Sequence, residues 1–244
     1  MKRKFSLFWV VYSVVIFYPI GLIYTLFTAF VTLLMVGVRL PFNITNAFVV
    51  FWARFICNLA FCPVEVRGRD KIDDSKSYIF LSNHQGTMEI FAIYGYIGKR
   101  FSWIMKQELR KFPLVGDACV AVGHIFIDRS SSIKSHKSIM QAEKVLSENN
   151  SSIVMFPEGT RTRTGEMGRF KRGAFAMARD LNLPIVPITI NGSYEAKPKG
   201  SFWVKGTKIE LVFHEPVETT DLNDENMGDM MNKVKEIIAS DLKL

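Results

Sequence analysis

Between Phe5 and Val38 the chain carries no Asp, Glu, Lys, Arg or His, an apolar run of 34 residues. Lys2, Arg3 and Lys4 precede it and Arg39 follows it. As one helix it would extend about 51 Å, against roughly 30 Å of bilayer hydrocarbon. That is too long for a single untilted span. Pro19-Ile20-Gly21 punctuates the run near its middle. The resulting pieces, Phe5–Tyr18 and Leu22–Val38, are each shorter than a usual span, which predicts a helical hairpin dipping into one leaflet. One long tilted span is a second reading. A cleaved signal peptide is a third, disfavoured because the run far exceeds a normal apolar h-region and no A-x-A site follows. Asn43 to Ala60, apolar except for Arg54, reads as a helix lying on a membrane or bridging to the domain beyond it.

From Cys62 the pattern changes. Val64–Gly68 alternates like a strand. Short apolar runs then recur between longer amphipathic stretches. Strands are expected at Tyr78–Leu81, Phe101–Met105, His124–Ile127, Ser152–Phe156 and Ile185–Ile190. Helices are expected at Met88–Ile97, Ile133–Leu146 and Gly173–Leu181, and from Met227 through Ile238. Phe202–Val204 and Lys208–Phe213, turning about Gly206, suggest a closing hairpin. This order predicts an α/β fold with a mixed, largely parallel sheet flanked by helices. The chain divides into two regions: residues 1–60 as membrane-anchoring hairpin plus interfacial helix, and residues 61–244 as one α/β domain.

Composition adds a partner and a compartment. Hydrophobic residues make up 48% of the chain, and the net charge is +8. Basic charge beside an apolar anchor suits anionic lipid headgroups, at about 1 kcal/mol per well-placed Lys or Arg. No zinc-finger, RNA-binding or helix-turn-helix signature argues for nucleic acid. The three cysteines, Cys57, Cys62 and Cys119, form no disulfide framework. Basic residues at the N-terminus keep that end in the cytoplasm, and a hairpin would leave the remainder there too.

In open α/β sheets the ligand sits at the carboxyl ends of the strands. Four expected strands run straight into chemically active residues: Ser82-Asn83-His84, Asp128-Arg129, Pro157-Glu158-Gly159-Thr160-Arg161, and Lys106. Together they predict one pocket. On a regular helix, His84 and Glu89 would diverge by about 140°. With His84 in the turn before a helix and Glu89 in its first turns, they can meet. A carboxylate on one imidazole nitrogen fixes the tautomer and leaves the other as a general base. No Ser or Cys stands out as nucleophile, and no HExxH or paired-Cys spacing suggests a metal, so the substrate would bring its own nucleophile, such as a hydroxyl. Lys106, Arg129 and Arg161 would neutralise a phosphate. The glycines of EGTRTRTGEMGRFKRG allow close backbone approach.

These residues resemble a known family. NHQGTME (Asn83–Glu89) is similar to the N-H-x4-D box of glycerolipid acyltransferases. GHIFIDR (Gly123–Arg129), FPEGTR (Phe156–Arg161) and LPIVPITI (Leu183–Ile190) resemble the second, third and fourth motifs, in the same order and spacing. The likeness runs from about Lys71 to Gly192 and is strongest to the bacterial 1-acyl-glycerol-3-phosphate branch, whose N-terminal two-helix membrane motif agrees with the hairpin. The resemblance implies transfer of an acyl group from acyl-CoA or acyl-carrier protein to lysophosphatidic acid, with no further cofactor and no metal. It implies a monotopic protein on the cytoplasmic face of a bacterial inner membrane. His84 would be the base and Glu89 its orienting partner. Asn83, Lys106, Arg129, Glu158, Gly159, Thr160, Arg161 and Pro187 would bind substrate, Glu158 by orienting an arginine and Pro187 by shaping the pocket. One position departs from the box: it ends in Asp, and here residue 89 is Glu, whose extra methylene moves the carboxylate by about 1.5 Å, where a 1 Å misplacement can cost 10²-fold.

Overall fold

The computed structural model describes residues 6–127 and 151–243. Arg129 and the helix expected at Ile133–Leu146 lie outside the described residues. The N-terminal run forms α1, Leu7–Gly37, continuous over 31 residues. The break expected at Pro19-Ile20-Gly21 does not occur. Proline lacks an N–H, and its ring crowds the carbonyl four residues back. Here one wider π turn over Ser13–Phe17, closed by the Tyr18 N–H on the Ser13 carbonyl, opens the ladder just before Pro19 and lets the helix continue. The two-helix motif is present with different arms: α1 turns at Val38–Pro41 into α2, Phe42–Leu59. The arms are locked by polar contacts, Trp52 Nε1 donating to Thr25 Oγ1 (3.0 Å) and Tyr12 OH to the Leu59 carbonyl (2.7 Å). Tyr24 and Phe55 pack with ring centroids 4.4 Å apart. Both helices are long and apolar enough to cross a membrane. Leu7, Phe8, Val15, Leu22, Ile23 and Phe30 are all exposed along α1, an outer face suited to lipid.

Seven strands form one sheet in the order β1-β7-β6-β2-β5-β3-β4. They are β1 Val64–Arg67, β2 Ile79–Ser82, β3 Phe101–Lys106, β4 Ile125–Ile127, β5 Ser152–Met155, β6 Ile185–Asn191 and β7 Ile209–Phe213. All neighbours are parallel except β6 and β7, so five strands place their carboxyl ends on one edge. Side chains alternate between two cores. Phe80, Trp103, Val154 and Val186 face one side, where they share a cluster with Phe17, Ala53 and Ile56 of the hairpin and with α3, Met88–Tyr96. Ile79, Leu81, Ile153 and Met155 face the other, against α5, Arg172–Asp180, and α7, Met227–Ser240. The shorter helices are α4, Val115–Ala121, and α6, Ser193–Ala196.

The hairpin expected from Phe202–Val204 and Lys208–Phe213 is not formed. Only the second segment is a strand, and it pairs with β1 and β6. The first is held by other donors and acceptors. The Val204 N–H donates to Ser13 Oγ (2.9 Å), the Lys205 N–H to the Ala196 carbonyl (2.9 Å), and the Tyr18 hydroxyl to the Phe202 carbonyl. The segment is thus stitched to α1 rather than to the sheet.

Candidate active site

Strand β2 delivers Asn83 and His84 to the carboxyl edge, and the chain then turns into α3 with Glu89 in its first turn. The bend brings the two side chains together: His84 Nδ1 lies 2.6 Å from Glu89 Oε2. Glu89 is fully buried. Its other oxygen accepts the Gln85 and Gly86 backbone N–H groups (2.6 Å each) and the Ser193 hydroxyl (2.5 Å). A glutamate reaching back to amides ahead of its own helix is a capping arrangement, and here it also fixes the imidazole. Gly86 cannot carry a side chain, because a Cβ would run into the Ser193 carbonyl. With Glu89 accepting at Nδ1–H, the second imidazole nitrogen, Nε2, keeps its lone pair for the cleft.

The loop after β5 grips His84 from both sides of its peptide. Glu158 Oε1 accepts the His84 N–H (2.8 Å), and the His84 carbonyl accepts the Thr162 N–H (2.9 Å). Glu158 Oε2 accepts the Gly168 N–H (2.8 Å). A Cβ on Gly168 would sit 2.9 Å from that oxygen and push the carboxylate off this amide. Among the described residues, the partners of Glu158 are therefore backbone amides, not the expected arginine, and it holds the base in place. Burial raises the pKa of its carboxyl, against the lowering effect of the two amides. The Phe156 ring stacks on the imidazole with centroids 3.8 Å apart and planes 11° from parallel.

His84 opens into a cleft of about 390 Å³ whose wall includes Lys106, Gly159, Thr160, Arg161 and Lys199. Four of the expected substrate residues are thus gathered around the base. Arg161 donates from Nη1 to the Thr87 hydroxyl, which aims its guanidinium along the cleft edge. Nearby Lys197 has its ammonium pKa lowered, first by burial and then by the charge of Arg161. Ile90, Trp103 and Met105 continue the wall into a second cavity of about 210 Å³, lined by Ala29, Val49 and Trp52 of the hairpin among others. His124 borders that cavity. Burial lowers its pKa to about 3.

Two expected site residues are placed elsewhere. Asn83 is fully buried and clamps β2 to β6, its amide donating to the Ile190 carbonyl (2.8 Å) and its Oδ1 accepting the Ile190 N–H (2.8 Å). Pro187 lies inside β6 opposite Leu81, away from the cleft. Ser193 is not among the residues expected from the sequence, although the strand-end rule applied to β6 leads to Asn191-Gly192-Ser193. Gln85 is a second such residue. Its side chain donates to the Gly165 carbonyl (2.5 Å), tying the turn to the glycine-rich loop.

The chain is similar to known proteins. A family model described as Acyltransferase matches residues 63–191, more than half of the chain. The 1-acyl-sn-glycerol-3-phosphate acyltransferase of Limnanthes douglasii is 31% identical over 180 residues, covering 74% of this chain and 63% of the relative. That of Pseudomonas aeruginosa is 35% identical over 171 residues, covering 68% and 63%. The matched stretch therefore spans less than two thirds of the length of these curated relatives. The crystal structure of the 1-acyl-sn-glycerophosphate (LPA) acyltransferase PlsC from Thermotoga maritima superposes with a TM-score of 0.78 at 26% identity, covering 96% of this chain and 92% of that one.

Proposed function

The chain belongs to the acyltransferase family, and on that premise we propose that it transfers a fatty acyl group from an acyl thioester to the free sn-2 hydroxyl of 1-acyl-glycerol-3-phosphate, making phosphatidic acid. The observation that carries the reading is the His84–Glu89 contact at 2.6 Å, facing a cleft that holds Lys106 and Arg161. Glu89 accepts the Nδ1 proton. His84 Nε2 takes the proton of the acceptor hydroxyl as that oxygen attacks the thioester carbonyl. The tetrahedral intermediate then expels the thiolate, which recovers a proton from Nε2. Donors preorganised toward the intermediate's oxyanion would supply much of the acceleration.

Arg161 and Lys106, with Lys199, suit the acceptor's phosphate. Arginine offers a planar fork of donors and lysine a point charge. The apolar cavity beyond Trp103 suits an acyl chain, held between the sheet and the hairpin. Acyl-CoA or acyl-carrier protein would be the donor, and both are acidic, as a basic chain would favour. The hairpin would insert into the leaflet monotopically, keeping the α/β unit on the cytoplasmic face, where the three cysteines stay reduced.

The test is thiol release from an acyl-CoA with and without lysophosphatidic acid, repeated with an acyl-carrier-protein donor. Acceptor-dependent release that falls 10²- to 10⁴-fold in a folded His84→Ala variant, roughly the worth of a general base, is the expected result. Release that ignores the acceptor, or survives the substitution, overturns it.

A further inference from the structure

Strand β3 ends at Lys106 in the cleft, and the chain then makes a 3-10 turn, Gln107–Lys111, before Phe112-Pro113-Leu114 and α4. Large apolar side chains on this segment point outward. Phe112 is 59% exposed, and Leu109, Leu114 and Val120 lie between 38% and 40%. Soluble surfaces rarely gather such residues without a partner. Two of the neighbours belong to the site itself: Leu109 lines the cleft with His84, and so does Ile90 of α3, which is 38% exposed. The patch therefore forms the lip through which that cleft opens.

The backbone here is not slack. Leu114 has φ +62° and ψ −51°, a left-side conformation that a leucine adopts only when its surroundings impose it. Next to it, a Cβ on Gly116 would run into the Arg110 carbonyl, so the 3-10 turn and α4 are pressed together. Leu114 is thus strained and still 38% exposed, beside Phe112 at 59%.

We propose that this lip is a second membrane contact, docking on the acyl region of a leaflet so that an amphiphilic acceptor slides from the bilayer directly onto His84. Lipid, rather than a protein partner, follows from continuity and charge. Helix α4 packs against the Tyr18–Gly37 part of α1, so the patch sits directly beside the hairpin, whose own apolar side chains are exposed. Lys106, Arg110 and Lys111 edge it, and against Glu108 and Asp117 they leave a net positive rim, suited to anionic headgroups at the level where the apolar tips enter. The inference rests on the acyltransferase reading only for the identity of the amphiphile.

Its first test needs no turnover. The full chain, with Cys119→Ala, is reconstituted in vesicles of phosphatidylcholine and phosphatidylglycerol and labelled with an environment-sensitive dye at Phe112→Cys, or at Glu236→Cys on exposed α7 as reference. The dye at 112 is expected to be quenched by nitroxides on the lipid acyl chains and shielded from aqueous iodide, and the dye at 236 to behave the opposite way. Iodide quenching at 112 overturns the proposal, and so does shielding from both quenchers, which would mean a protein contact. In a second measurement, Phe112→Ser combined with Leu114→Ser should raise the KM for vesicle-embedded lysophosphatidic acid about tenfold. The same variant should leave turnover of a monomeric short-chain acceptor unchanged, and equal loss on both acceptors would count against a docking role. A protein inactive on every acceptor but quenched from the bilayer would sink the proposed reaction and leave this surface standing.

Discussion

His84 Nδ1 and Glu89 Oε2 stand 2.6 Å apart across a bend between strand and helix, and Glu89 is anchored at its other oxygen by three donors from two different elements. The longer side chain thus spans from a cradle made by Gln85, Gly86 and Ser193 to the imidazole. Shortening it by one methylene withdraws the carboxylate by about 1.5 Å and forces a choice between cradle and base. Glu89→Asp is expected to lower kcat by about 10²-fold with little change in acceptor KM, measured by steady-state thiol release. A faster aspartate variant would show that the cradle is not fitted to glutamate.

Ser193 is fully buried and acts through Glu89. A hydrogen bond to a charged group is worth about 1.5–3 kcal/mol, so Ser193→Ala should cost roughly tenfold or more in kcat and leave both KM values alone. Ser193→Thr, which retains the hydroxyl, should recover most of the rate. Equal losses in the two variants would indicate a packing defect instead of a lost donor.

Arg161 lines the cleft with its guanidinium on the Thr87 hydroxyl. Arg161→Ala should raise the KM for lysophosphatidic acid by about tenfold or more, the worth of a charge-assisted contact, while the KM for the acyl thioester stays put. Competition by inorganic phosphate, present in the parent protein, should weaken in parallel. A KM that does not move removes Arg161 from the phosphate site.

His124 gives the fold an acid limit. Burial depresses its folded-state pKa to about 3, whereas in the unfolded chain the imidazole titrates near 6.5. Between those values the unfolded state binds a proton that the native state refuses. The stabilisation is therefore complete above about pH 6.5 and is lost as pH falls toward 3, at up to about 1.4 kcal/mol per pH unit. His124→Phe gives up the acceptor for the Trp103 N–H (3.3 Å) but should flatten this acid limb. Urea midpoints in detergent from about pH 4 to neutrality provide the measurement, and an unchanged slope would assign the acid limit to other groups.

Much of the catalytic edge could be read from residue order, because a parallel sheet delivers every strand end to the same place. The base and the cations at Lys106 and Arg161 come out of that rule, and Glu89 out of its spacing to His84 across a turn into a helix. What escapes it depends on long-range donors. Asn83 and Glu158 look like ligand residues by type, yet both are consumed by backbone groups that only the folded chain brings near, at Ile190 and Gly168. Phe202–Val204 has the composition of a strand and is not one, because its amide finds Ser13, 191 residues away. Pro19 suggests a break that the π turn absorbs. The segment Gln107–Ala121 carries too short and mixed an apolar pattern to announce either its turn or its helix.

Those same stitches give the anchor a mechanical meaning. Tyr12, Ser13 and Tyr18 are tied to Leu59, Val204 and Phe202, while Phe17, Ala53 and Ile56 sit in one core with the sheet. An anchor on a slack tether would let the catalytic body tumble over the lipid surface. This one is stitched to the body along its length; seated in a leaflet as proposed, it would act as a keel, setting the roll and draught of the whole body and with them the height of His84 over the lipid.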